Sequence, residues 1–316
     1  MDRHAMTRAV RRGLAMLAML ALGIIALRYA LRDFAWNDFV VQVETLHWGW
    51  LTLSAIFAVL SYVAQGARWK LLLEGATIAQ TTRAIYAGLF LNELLPFRPG
   101  EAVRIWLASR DLGQSAWTVT SSVVVERLMD GLMLALGSVV LLLLAPLSPD
   151  LARDARWLVE FVAALMVLAA VLGHTRFKFL RQLYTGLQNI PALLFSFVFL
   201  LAQGLAFWGA FQASNLSLSP GACFVVMMIV RIGTLIPAAP ANLGTHQLAT
   251  VLALSLYGVP HAQAAAVSII LFTVLTLPLL VLGFFACLSA GLTWSGLRTI
   301  RHSDAAPDGM VVSPSS

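Results

Sequence analysis

Residues 92–101, Asn92-Glu93-Leu94-Leu95-Pro96-Phe97-Arg98-Pro99-Gly100-Glu101, place three charges, two prolines and a glycine inside an apolar stretch, and Arg104 follows one helical turn later. Broken polar backbone at membrane depth costs several kcal/mol per unpaired group unless it is buried in protein or lines a wet cavity, so the segment marks a substrate pathway. A helix beginning at Gly100 after the break at Pro96 and Pro99 would point its N-terminal partial positive charge inward beside Arg98 and Arg104, which is the chemistry of an anion site. Asn92 stands one turn before the break as a polar contact. A second break, Pro237-Ala238-Ala239-Pro240-Ala241-Asn242-Leu243-Gly244, repeats these ingredients. Arg231 precedes it, Asn242 or Thr245 can cap the next helix, and His246 opens that helix. The third cluster is Glu126-Arg127-Leu128-Met129-Asp130. Glu126 and Asp130 share a helix face at i, i+4, and Arg127 reaches Asp130 at i+3.

These groups bind more readily than they catalyse. Two uses stay open for Arg98 and Arg104: contact with an anionic ligand, or ion pairing with Glu93 and Glu101. Two also stay open for Glu126, Arg127 and Asp130: a salt-bridge latch docking this helix against the first break, or a gate or proton site. The chain contains no Gly-Lys dipeptide and hence no phosphate loop, and its six histidines (4, 47, 174, 246, 261, 302) lack metal-ligand spacing. Neither a catalytic residue, a metal nor a cofactor is expected. Cys223 and Cys287 both fall in apolar helices and suggest no disulfide.

The elements that must position these residues are membrane helices. Of 316 residues, 59% are hydrophobic and 11% charged, and the mean hydropathy is +0.83, far from the roughly 25% charge of soluble domains. Nucleic acid is not an expected partner. Apolar runs of about 20 residues, enough to cross about 30 Å as helix, predict spans at 13–31, 48–67, 119–145, 156–173, 191–212 and 262–296. Arg8, Arg11 and Arg12 before the first run imitate a secretory signal, but the run lacks a small-x-small cleavage site and reads as an uncleaved span. The tail 301–316 reads as a disordered cytoplasmic segment.

Charge in the short loops sets orientation. The N-terminal arginines, Arg68, Lys70 and Arg83, then Arg176, Lys178 and Arg181, and finally Arg298 and Arg301 read as cytoplasmic; the 32–47 and 146–156 loops read as outside. Trp48 and Trp69 bracket the second span as interfacial anchors. Residues 84–111 begin and end inside, and residues 221–258 begin and end outside, so each predicts a re-entrant hairpin. The predicted architecture is all-α and polytopic: about six full spans and two broken-helix hairpins in one domain, 1–300, divided into inverted repeats 1–147 and 148–300.

The pattern Asn92, Pro96, Arg98, Gly100, Glu101, Arg104, followed by Glu126, Arg127 and Asp130 and later by a Pro-x-x-Pro-x-x-x-Gly break, resembles the lysylphosphatidylglycerol synthase/flippase transmembrane-region family over nearly the whole chain. The resemblance implies about eight membrane helices with re-entrant elements and a role in moving or handling polar lipids across the inner membrane. In the family a glutamate tends to follow the glycine of the second break; here Gly244 is followed by Thr245-His246-Gln247. The aminoacyl-transfer domain of the large members is lacking, so lipid aminoacylation is not implied.

Together these features predict a flippase-like protein of the cytoplasmic membrane with both termini inside. It would bind an anionic phospholipid or lipid-linked intermediate on Arg98, Arg104, Arg231, Asn92 and Asn242, with Glu93, Glu101, Glu126, Arg127, Asp130 and His246 as gating or ion-pair groups. Pro96, Pro99, Gly100, Pro237, Pro240 and Gly244 would form the breaks. Alternatives are a non-transporting accessory protein of envelope lipid or glycan synthesis, and a membrane-embedded lipid transferase with Glu101 or Asp130 as base. A homodimer, or a partner enzyme of envelope synthesis, is compatible with either of the first two.

Overall fold

The computed structural model describes residues 3–95, 98–144, 160, 164, 188–234 and 240–292. Among them lie ten bounded α-helices, one 3-10 turn and no strand. The predicted span 156–173 apart from residues 160 and 164, the loop 174–190 up to residue 187, the prolines Pro96 and Pro237 and the tail 301–316 fall outside the described residues.

Among the described residues three helices are long and apolar enough to cross a membrane: α3 (Trp48–Leu72), α7 (Ile190–Ala213) and α10 (His261–Ser289). At 1.5 Å per residue the shortest of them reaches about 36 Å, against about 30 Å of hydrocarbon. α1 (Arg3–Ala30) is apolar from Met16 onward. α6 (Ala116–Leu144) has the length but carries Glu126, Arg127 and Asp130 in its interior. α2 (Trp36–Glu44), not anticipated from the sequence, turns Phe39 and Val43 onto Leu46, Ala213 and Ile270 and leaves Trp36 and Val41 exposed.

α3 and α7 pair at the centre through small residues. Ser54 Oγ donates to the Ala206 carbonyl at 2.6 Å, and a methyl added at Gly209 would sit 3.2 Å from Ser54 Cβ. Where lipid offers no hydrophobic drive between helices, such close seams supply the packing that holds them.

Each broken segment folds back on itself. α4 (Ile78–Leu94) starts with a capping box between Thr77 and Gln80. It stops where the approaching proline disfavours helical backbone, and α5 (Gly100–Leu112) returns against it. Gly88 and Gly100 bring the two backbones into contact near the tip; a methyl on Gly88 would lie 2.7 Å from the Gly100 carbonyl oxygen. At the open end Arg83 pairs with Asp111. α8 (Pro220–Gly233) begins on the Ser219 cap, whose side chain accepts from Ala222 N at 3.2 Å. α9 (Thr245–Ser255) returns beside it, a methyl on Gly233 falling 2.9 Å from Ala249 Cβ. Between them the chain turns through Pro240–Asn242, with positive φ at Ala241, Asn242 and Gly244. The expected cap by Asn242 or Thr245 is not formed: Gly244 is the N-cap, its N–H is taken by Gln247 Oε1 at 2.7 Å, and Thr245 Oγ1 donates to the Asn242 carbonyl at 3.0 Å.

Two boundaries correct the sequence reading. The second span does not stop at 67 but continues to Leu72, which buries Arg68 and Trp69 completely; neither is a loop cation or an interfacial anchor. Trp69 Nε1 instead donates to Ser122 Oγ at 2.9 Å. The last helix ends at Ser289 rather than 296, with Ala290 as the C-cap and Gly291 in the left-handed conformation.

Candidate functional site

The two hairpin tips meet. Arg98, at the first tip with φ of 49°, donates to Asn242 Oδ1 of the second and to the Thr234 carbonyl at 3.4 Å. Beside this contact lies a cavity of about 610 Å³, walled by α3, α4, α5, α6, α7, α8, α9 and α10. Asn92, Glu93, Arg98, Gly100, Glu101, Arg104, Arg127, Asp130, Arg231, Asn242 and His246 all line it. Residues chosen from three separate sequence segments therefore converge on one space. Glu126 lies behind the wall, fully buried.

Glu126 organises that wall. Arg68 Nη2 donates to its Oε1 at 2.7 Å, Gln65 Nε2 donates to the same oxygen at 2.9 Å, and Arg104 takes Oε2. Arg68 continues through Nη1 to Asp130 Oδ1 at 2.6 Å and to Ser196 Oγ of α7 at 3.1 Å. Arg127 closes the circuit, 3.2 Å from Asp130 and 3.5 Å from Glu101, which itself stands 3.6 Å from Arg104. The Arg104 guanidinium also rests 3.9 Å from the Trp69 ring centre. A buried charge persists only with such partners.

This geometry changes the roles expected from sequence. Arg104 is held between Glu126 and Trp69, only 3% exposed, rather than open to a ligand. Arg98 hydrogen-bonds the opposite tip, and its charge reaches Glu93 without a direct contact. Asn92 Oδ1 accepts from Gly100 N at 2.7 Å and so caps α5, occupying one N–H that an anion would have used. Asp130 takes Arg127 as expected but takes Arg68 more closely. Arg68, Gln65 and Ser196 are the members that sequence reasoning missed; Gln65 and Arg68 share a face at i, i+3, a signal hidden by assigning Arg68 to a loop.

Two charged groups at the cavity make no close ion pair with the described residues, their nearest opposite charges acting at longer range: Asp130 on Arg231 and Arg98 on Glu93. Arg231 forms no ion pair or hydrogen bond with the described residues, its guanidinium lying 5.1 Å from the Phe199 ring centre. Glu93 likewise has no ion-pair or hydrogen-bond partner among the described residues. His246 packs edge-on to Phe272 at 5.4 Å, with Nδ1 buried and unpartnered. No three His, Cys, Asp or Glu among the described residues are placed to hold a metal.

The sequence model of the lysylphosphatidylglycerol synthase transmembrane region matches residues 16–283. The chain belongs to this family. No curated protein matches it. Membership makes it a multi-pass membrane protein tied to lipid synthesis or translocation, and the match covers the transmembrane region, not an aminoacyl-transferase domain. In this member of the lysylphosphatidylglycerol synthase transmembrane-region family, the second-tip glycine has a packing role: a methyl on Gly244 would run into the Gly23 carbonyl of α1.

Proposed function

We propose that the protein is a non-enzymatic, flippase-like carrier of the cytoplasmic membrane, with both termini inside, that takes the anionic phosphate of a lipid headgroup into the cavity between its hairpins and passes it between leaflets. The observation that carries this reading is Arg231, a guanidinium with no hydrogen bond or close ion pair among the described residues, on a polar cavity of about 610 Å³, within the 300–1,000 Å³ range of small-ligand sites. Five arginines (68, 98, 104, 127, 231) face four carboxylates (93, 101, 126, 130) in and behind the cavity wall, so the fully ionised site is positive by one and favours a phosphate. Guanidinium is the side chain best shaped for that group. Asn242 holds Arg98 in the tip contact, and a phosphate competing for Arg98 would part the tips.

The hairpins are read as re-entrant, α4–α5 from the cytoplasmic face and α8–α9 from the outer face, in inverted repeats 1–147 and 148–300. Support comes from reciprocal packing: α4 lies on α10 and α8 on α6, so the first arm of each hairpin rests on the last helix of the other half. Rocking one repeat against the other would expose the cavity alternately.

The test is reconstitution in liposomes containing phospholipids labelled on an acyl chain, with dithionite bleaching to follow arrival in the outer leaflet. Wild type is expected to accelerate exchange over empty liposomes, and Arg231→Ala and Arg98→Ala to abolish that gain while the detergent-solubilised protein keeps its monodispersity. Equal rates in wild-type and empty liposomes for every phospholipid would refute transport and favour an accessory protein.

A further inference from the structure

The cavity holds groups of both signs, and the acceptors among them bear on which headgroup enters. The cations without a carboxylate in direct contact are Arg231 and, at the tip contact, Arg98. Among the acceptors, Glu93, in the last turn of α4, makes no hydrogen bond or close ion pair with the described residues and has Arg98 as its neighbouring counter-charge, while Glu101, Glu126 and Asp130 are all paired to arginines. Two glutamines on the same cavity have their amide orientation fixed. Gln65 must turn its NH₂ to Glu126, which only accepts. Gln203 must do the same toward Ser61 Oγ at 3.0 Å, because the one hydroxyl proton of Ser61 is already donated to the Ala58 carbonyl at 2.7 Å. The uncommitted end of Gln65 is therefore its carbonyl oxygen, whereas Gln203 also hydrogen-bonds the Tyr62 hydroxyl. A carboxylate without a close ion pair and a carbonyl end on one cavity make a site for a donor with several N–H groups.

We infer that the preferred occupant is a zwitterionic phospholipid headgroup carrying one phosphate and one primary ammonium, of the phosphoethanolamine kind, with phosphate on Arg231 and Arg98 and ammonium on Glu93 and the carbonyl end of Gln65. This rests on the carrier reading above and narrows it. A headgroup of phosphate and glycerol alone would draw Arg231 and Arg98 to the phosphate and bring no cation to Glu93 in exchange for Arg98. The lysylphosphatidylglycerol headgroup brings two ammonium groups for one phosphate. It would add a net positive charge to a site that already has five guanidiniums for four carboxylates, with one carboxylate lacking a close ion pair to receive two cations.

The experiment compares three acyl-labelled lipids in the same dithionite assay: phosphatidylethanolamine, phosphatidylglycerol and lysylphosphatidylglycerol. Wild type is expected to move the ethanolamine lipid about tenfold faster than either other, the scale of one charge-assisted hydrogen bond. Glu93→Gln should bring the ethanolamine-to-glycerol ratio toward one, and Glu93→Asp should retain it. If wild type moves phosphatidylglycerol or the lysyl lipid as fast as the ethanolamine lipid, or if Glu93→Gln leaves the ratio unchanged, this inference is overturned while transport stands. If none of the three exceeds empty liposomes, both readings fall. The wild-type ratio decides the matter even where a Glu93 variant does not fold.

Discussion

Glu126 carries two guanidiniums on its two oxygens with no solvent at either side, and this single side chain ties α3 to α5 through α6. Removing one member of a buried pair strands the other, at about 3–5 kcal/mol, whereas an exposed pair contributes about 1 kcal/mol or less. Arg68 is fully buried and Arg127 is 48% exposed, although both contact Asp130. Arg68→Gln should therefore lower the thermal stability of the solubilised protein far more than Arg127→Gln; equal losses would show that the buried arm of the network is not what holds these helices. The sequence made Arg127 and Asp130 visible because they interrupt an apolar run. It hid Arg68, because a basic residue at the end of an apolar run has the same pattern whether the helix stops there or buries it. Only the third dimension, which places Glu126 58 positions away within hydrogen-bonding distance, separates the two.

At the scale of elements, the hairpins depend on two backbones touching. Gly100→Ala would drive a methyl into the Gly88 carbonyl and to 2.6 Å from Asn92 Oδ1, the acceptor that caps α5. Overpacking of this kind costs about 1–3 kcal/mol, and here the neighbouring atoms are largely backbone and cannot swing aside. Gly131 is also on a helix but has nothing within 4 Å of an added methyl. Gly131→Ala should be neutral or stabilising by up to about 1 kcal/mol from helix propensity. Thermal unfolding in detergent separates the two; a loss of equal size in both variants would mean that the Gly88–Gly100 contact does not hold the arms together. Both breaks were legible from Pro96, Pro99 and Gly100 and from Pro240 and Gly244, since these residues interrupt a helix for local reasons. α2 was not: its nine residues are too few for a periodic signal, and the face it buries is defined by Leu46, Ala213 and Ile270, which lie outside it.

At the scale of the whole molecule, the proposed repeats rest on an assumed number of crossings and on packing. If the first half crosses three times, by α1, α3 and α6, its successor starts on the opposite face. Exchange of the halves then swaps α3 with α7, the α4–α5 hairpin with α8–α9, and α6 with α10. Under that proposed exchange the central α3–α7 pair would map onto itself and the α4–α10 contact onto α8–α6, and all three contacts are present. Membrane placement of the hairpins is the remaining element of the proposal. Single cysteines introduced at Arg83, Asp111, Ser217 and His261, in a background with the buried Cys223 and Cys287 replaced by serine, should react with an impermeant thiol reagent in two groups. Positions 217 and 261 should label in intact spheroplasts, and positions 83 and 111 only after permeabilisation. Arg83 and Asp111 are paired in the structure, so the two must share a face. The decisive comparison is therefore between the pairs: labelling of all four from one side would make the hairpins open together, and no inverted repeat could then carry a headgroup between leaflets by rocking.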